Sequence, residues 1–175
     1  EMGEGPLVVL CHGFPELGYS WRHQLKALAE AGFRAVAPDQ RGYGGTDCPE
    51  AIEEYDIFHL TGDIVGLVHA LEAERAVIAG HDWGATVAAH CALLRPDLFS
   101  ALILMSVPYT PRRWEDVPPT EKMRQMAGDQ VFYMNYFQEP GRAERDFEAD
   151  VRKSVLGMLY GGSGDPPPER RWRFV

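Results

Sequence analysis

Long apolar runs, clustered basic residues and paired cysteines are all missing from this 175-residue chain, and each absence removes a class of protein. No stretch approaches the ~18 consecutive apolar residues of a membrane-spanning helix. The N-terminus shows no basic segment leading into an apolar one, as a secretory leader would. A soluble, cytoplasmic protein is the expectation. Lys and Arg number 17 against 26 Asp and Glu, a formal balance of −9, which opposes general nucleic-acid binding because that depends on clustered cations. The three cysteines, Cys11, Cys48 and Cys91, are odd in number and far apart, so neither a disulfide framework nor a CxxC metal site is expected. The six histidines lack HExxH spacing and no GxGxxG follows a strand-like segment, so no cofactor and no metal is implied. The chain opens at Glu1 without Met and ends at Val175 in a segment with no stop signal, which reads as a piece of a longer protein.

What is present is unevenly distributed. Residues 1–108 hold 6 Lys/Arg and 15 Asp/Glu, and residues 109–175 hold 11 of each, so the whole net charge belongs to the first segment. The second segment carries 10 of the 19 aromatics and 7 of the 13 prolines. This change of composition near Pro108 predicts a boundary between two domains, 1–108 and 109–175.

The first segment alternates strand and helix patterns. Leu7 to Cys11 is a continuous apolar run, as expected of a strand buried on both faces. A helix is predicted from about Trp21, with Ser20 as N-cap and Gly32 closing it, then a strand over 33–37. A Gly-rich polar loop over 39–56 precedes an amphipathic helix carrying Ile57, Leu60, Ile64, Leu67, Val68 and Leu71. A strand over 76–79, a helix over 85–94 and a strand over 101–105 complete the segment. Strands separated by helices imply a parallel sheet, whose ligands bind outside the carboxyl ends of the strands. The informative residues are therefore those following Cys11, Pro38, Ala79 and Met105. In the second segment, 142–160 reads as one amphipathic helix burying Phe147, Val151, Val155, Leu156 and Leu159.

Between the third strand and its helix stand Gly80, His81, Asp82, Trp83 and Gly84. Small residues two before and two after a central reactive residue are the pattern of a nucleophile elbow, where the backbone turns too sharply for a Cβ. The central residue here is Asp82, a carboxylate already ionised at pH 7 that can attack an sp³ carbon and form an ester. The competing structural reading is that Asp82 merely caps the helix. After the first strand come His12, Gly13, Phe14 and Pro15, a turn that can aim the Phe14 N–H beside the Trp83 N–H as an oxyanion hole. His12 itself reads as structural, bonded to nearby backbone.

Three runs together, His12-Gly13-Phe14-Pro15, Asp39-Gln40-Arg41-Gly42-Tyr43-Gly44-Gly45-Thr46 and Gly80-His81-Asp82-Trp83-Gly84, resemble the epoxide hydrolases of the α/β-hydrolase fold across residues 6–108. The stretch Tyr133 to Gly141 is similar to part of the helical cap of soluble epoxide hydrolases. The resemblance implies an α/β fold, a mostly parallel sheet flanked by helices with an α-helical cap, both incomplete in this chain. It also implies an Asp82 alkyl ester as intermediate and Tyr133 as one of two cap tyrosines on the epoxide oxygen. Phe14, Pro15, Trp83 and Tyr133 would line the substrate site. The chemistry agrees, because an alkoxide leaves poorly without a proton and a phenol can supply one. Tyr136 reads instead as a structural aromatic. The implied partners are a small epoxide and water, with homo-oligomerisation left open.

The family also requires a general-base His, an orienting acid and a second cap Tyr, all expected beyond Val175. His23, His59, His69 and His90 fall on predicted helices and His81 on the variable position before the nucleophile, so none is assigned as base. Glu115 and Asp116 are weak candidates for the acid. Two alternatives stand beside the epoxide reading: a haloalkane dehalogenase, for which Phe14 lacks a side-chain N–H toward halide, and a non-catalytic binding protein of the same fold. The chain alone is expected to be inactive and to leave an open apolar sheet edge.

Overall fold

A computed structural model describes residues 1–111, 117–128 and 132–170. The chain forms two compact units, 1–111 and 112–175. In the first, a four-stranded sheet runs in the order β2-β1-β3-β4, with β1 at Leu7–Cys11, β2 at Arg34–Val36, β3 at Ala76–His81 and β4 at Phe99–Met105. All three pairings are parallel, with Val9 opposite both Val36 and Ile78. Helices connect the strands: α1 (Arg22–Glu30), α2 (Ile57–Ala70) and α3 (Trp83–Leu94).

The unbroken apolar run of β1 is explained by burial of all five residues from two sides. Leu7, Val9 and Cys11 face α2 and α3, packing against Ile64, Val68, Val87, Ala88 and Cys91. Val8 and Leu10 face the other way, against Trp21 and the α1 residues Leu25 and Leu28. The buried thiols of Cys11 and Cys91 are both pushed up by burial, Cys91 to about 12, so they behave as small apolar groups. Asp56 caps α2, its carboxylate accepting from the His59 N–H at 2.8 Å.

The start of α1 differs from the sequence expectation. Ser20 does not cap α1: its hydroxyl donates to the Leu17 carbonyl at 2.8 Å, closing a 3-10 turn over Gly18–Trp21 that leads into the helix. Gly32 does sit just past α1, in the left-handed region at φ 83.

The second unit contains α4 (Pro119–Ala127), α5 (Tyr133–Tyr136), α6 (Arg142–Glu148) and α7 (Val151–Gly161). The single helix expected over 142–160 is broken in two. Asp150 leaves helical conformation at φ −155 and its carboxylate takes the Lys153 N–H at 3.0 Å, so it starts α7 instead of continuing α6. The expected inward face is also a misreading. Val151, Val155, Leu156 and Leu159 are exposed and only Phe147 is half-buried, against Phe137 at 5.9 Å. Among the described residues no helix is long and apolar enough to cross a membrane.

Candidate active site

The strand order opens a crevice at one place. β1 and β3 are neighbours, yet β1 leads into α1 on one face of the sheet and β3 into α3 on the other, so the chain leaving them diverges. Such a switch point, at the carboxyl ends of the strands, is where open parallel sheets bind ligands. The residues at its rim are His12 to Pro15 after β1 and Asp82 after β3.

Asp82 occupies a conformation that an L-residue rarely adopts, φ 55 and ψ −124. The surroundings impose it. A Cβ on Gly80 would come within 2.6 Å of the Ala85 nitrogen, and one on Gly84 would overlap the carbonyls of Cys11 and His12. The two glycines thus let the turn close on itself and let α3 start flush against β1. Ser106, just beyond the adjacent β4, is likewise in the left-handed region at φ 71. Two non-glycine residues held this way at neighbouring strand ends place backbone strain on the side of the sheet where the crevice lies.

The Asp82 carboxylate makes no cap on α3. The capping alternative therefore fails, and the carboxylate turns instead to the first loop, where Oδ1 accepts from the Phe14 N–H at 3.0 Å. Gly13 allows that approach, because a Cβ there would overlap the Asp82 side chain. The Phe14–Pro15 peptide is cis. Trp83 is the first residue of α3, and an amide at that position has no intrahelical acceptor. Its side chain is exposed.

His12 is wholly buried, with its ring held at both nitrogens: Nδ1 lies 2.9 Å from the Gly13 carbonyl and Nε2 accepts from the Gln40 N–H at 3.0 Å. That set of partners places the proton on Nδ1 and makes His12 a structural group. The Gln40 side-chain amide also donates to the His12 carbonyl. Asp39 ties the same loops together, Oδ1 taking the Gly18 N–H at 2.8 Å and Oδ2 the Gly45 N–H at 3.3 Å. Tyr43 packs edge-on to the His12 ring at 4.8 Å, and its phenol is raised by burial and by the Asp82 charge. Arg41 forks onto Asp63 of α2 with two bonds of 2.7 Å, anchoring the loop after β2. The sequence marked this run as a motif but did not show which of its side chains reach the first loop. That pairing depends on β1 and β2 being neighbours.

The other histidines have local partners: His59 meets Asp56 at 2.8 Å, His90 the Thr86 carbonyl at 2.8 Å, and His81 lies 3.8 Å from Glu16. His23 and His69 lie on the exposed faces of α1 and α2. Glu115 and Asp116 fall outside the described residues. In the second unit, Tyr133 begins α5 with its ring 5.0 Å from Phe132 and 5.8 Å from Phe137. Tyr136 donates its hydroxyl to Asp146 and lies beneath Arg142 at 4.5 Å, partners that suit a structural aromatic. Among the described residues, no group of three or more His, Cys, Asp or Glu side chains could hold a metal ion.

A family profile described as the alpha/beta hydrolase fold matches residues 6–149. The chain belongs to the alpha/beta hydrolase family. Among curated relatives of this chain, Epoxide hydrolase A of Mycobacterium tuberculosis is 52% identical over 163 residues, covering 92% of this chain and 50% of the relative. Epoxide hydrolase 3 of Siraitia grosvenorii is 47% identical over 168 residues, covering 95% of this chain and 52% of the relative. Among solved structures, an epoxide hydrolase from an endophytic Streptomyces superposes with a TM-score of 0.90 at 51% identity, covering 95% of this chain and 50% of its own. Epoxide Hydrolase A of Mycobacterium thermoresistibile gives 0.87 at 51% identity, covering 95% and 52%. The chain spans about half the length of the curated relatives just named.

Proposed function

We propose that this chain is the nucleophile-bearing part of an epoxide hydrolase that opens epoxides to vicinal diols. The observation that carries the reading is the Asp82 carboxylate, held at φ 55 on an elbow after β3 and met at Oδ1 by the Phe14 N–H. Epoxide hydrolases from Mycobacterium and Streptomyces at about half sequence identity support the substrate class.

In this mechanism Oδ2, the oxygen not engaged by Phe14, attacks an epoxide carbon. The ring C–O bond breaks and the ring oxygen takes a proton from the Tyr133 phenol, leaving a hydroxyalkyl ester on Asp82. Water activated by a histidine outside this chain then adds to the ester carbon. The negative charge of the tetrahedral intermediate develops on Oδ1, which already faces the Phe14 N–H, with the Trp83 N–H as second donor. Collapse releases the diol and restores the carboxylate. By the resemblance to epoxide hydrolases, Phe14, Pro15, Trp83 and Tyr133 are the residues proposed to bind substrate. The proposed domains are a hydrolase core over 1–108 and a helical cap over 109–175.

The test is Asp82→Asn in the whole protein with an aryl epoxide. Diol formation should fall by about 10⁴-fold or more, the loss typical when a nucleophile is removed, and the wild type should show an epoxide adduct on the Asp82 peptide by mass spectrometry. Full turnover by the variant, with no adduct in the wild type, sinks the proposal. Halide release from a haloalkane with no activity on the epoxide would favour the dehalogenase instead. Tyr133→Phe should slow ring opening by about 10²-fold, the lower end for loss of a positioned acid, and leave ester hydrolysis unchanged in single-turnover measurements.

A further inference from the structure

We propose that Gln40 is a positioning residue for ester hydrolysis: its side chain pins the His12–Gly13 peptide so that the Phe14 amide stays on Asp82 Oδ1. This rests on the ester mechanism proposed above.

The loop after β1 cannot hold itself by packing at the point that matters. Gly13 has no side chain, and none fits, since a Cβ would overlap Asp82. The Phe14 N–H lies in the Gly13–Phe14 peptide, whose carbonyl accepts the Glu16 N–H at 2.9 Å, and the direction of that peptide is set by the His12–Gly13 plane before it. That plane is gripped at the His12 carbonyl, which lies between Gly84 and the Gln40 side-chain amide that donates to it. Gln40 also donates its backbone N–H to His12 Nε2 at 3.0 Å, while His12 Nδ1–H donates to the Gly13 carbonyl at 2.9 Å. The backbone bond survives substitution of Gln40, but the side-chain bond does not. Losing it leaves the His12 carbonyl without that donor and frees the peptide to rotate, which moves the Phe14 N–H off Oδ1.

The two chemical steps respond differently to that movement. During ring opening Asp82 loses its negative charge, so a donor on Oδ1 favours the starting carboxylate and gives the attack no help. During hydrolysis a full charge appears on Oδ1, and the same donor lowers the barrier. A misplaced Phe14 amide thus slows hydrolysis and leaves ring opening unchanged or slightly faster. General damage to the site would slow both.

The experiment compares Gln40→Met, which keeps length and removes the donor, and Gln40→Glu, which puts acceptors in its place, with the wild type in the whole protein. Single-turnover quench-flow with mass spectrometry on an aryl epoxide reads ester formation and ester decay separately. Both are first-order in reacting enzyme, so a reduced folded fraction does not alter them. Ester decay should slow by about tenfold in each variant, part of the 10²–10³ that a whole oxyanion-hole donor supplies, while ester formation stays within about twofold. The ester should consequently accumulate at steady state. Wild-type decay in both variants overturns the role of Gln40, as does equal slowing of both steps. Insolubility of both variants overturns it too, by making Gln40 a folding residue. Absence of any ester in the wild type is a separate outcome, and it strikes the mechanism itself.

Discussion

The glycines around Asp82 are where single residues can be tested most directly, because the same residue type serves opposite purposes at different places. Gly84 has no left-handed backbone to maintain; its need is for space, since a Cβ would run into the backbone carbonyls of Cys11 and His12. Gly84→Ala should therefore lower the stability of the first unit by about 1–3 kcal/mol, the range for overpacking, seen as an earlier midpoint in urea with an unchanged slope. Gly157 in α7 has nothing within 4 Å of an added Cβ, and Gly157→Ala should stabilise its helix by about 0.5–1 kcal/mol. Equal stability of Gly84→Ala and wild type would remove the close approach from the account. The sequence pattern, small residues two before and two after Asp82, was enough to mark the turn. What it concealed was why Gly13 belongs to the same arrangement, and that Gln40 reaches the His12 carbonyl. Both contacts join segments that meet only when β1 lies between β2 and β3.

At the scale of elements, periodicity was reliable where a segment is covered by the sheet and misleading where it is not. The apolar positions of α2 predicted from spacing do pack on the core, with Ile64 and Val68 buried. In the 142–160 segment the apolar spacing suggested one long helix, and the local chemistry of Asp150 prevailed. A short carboxylate that can bond an amide three residues on competes with helix continuation, and no buried face opposes it there. Asp150→Ala should unfasten the start of α7. Loss of a cap is worth about 1 kcal/mol, so hydrogen exchange at the Lys153 amide should speed up by about fivefold, while the Leu67 and Val68 amides in α2 stay as protected as before. Unchanged exchange at Lys153 would mean that the bond from its N–H to Asp150 contributes nothing to the helix start.

At the scale of the whole molecule, the two edge strands of the sheet differ among the described residues. β2 is three residues long and Met2 bridges it at Ala35, so little of that edge can template another strand. β4 is seven residues long, pairs only with β3 among the described residues, and presents Leu102, Ile103 and Met105 at 39%, 46% and 39% exposure. Past the irregularity at Ser100, where one residue of β4 has no partner in β3, a strand edge with exposed apolar side chains is the form that natural proteins cover or charge. The chain spans about half of its relatives, so the behaviour of these 175 residues by themselves is a separate question from that of the whole protein. Expressed alone, they should self-associate through β4, with concentration-dependent elution in size-exclusion chromatography and strong binding of a hydrophobic dye. Ile103→Lys places a charge in the middle of the exposed strand, where like charges on two copies would face each other. It should shift the population toward monomer and reduce dye binding without loss of helix signal. Elution as a monomer at all concentrations by the unsubstituted chain would show that β4 is not an adhesive edge. Continued association of Ile103→Lys would move the contact elsewhere, to the exposed Val155, Leu156 and Leu159 of α7. A second substitution, Leu156→Lys, separates those surfaces, because only the edge that carries the association should respond to its own charge.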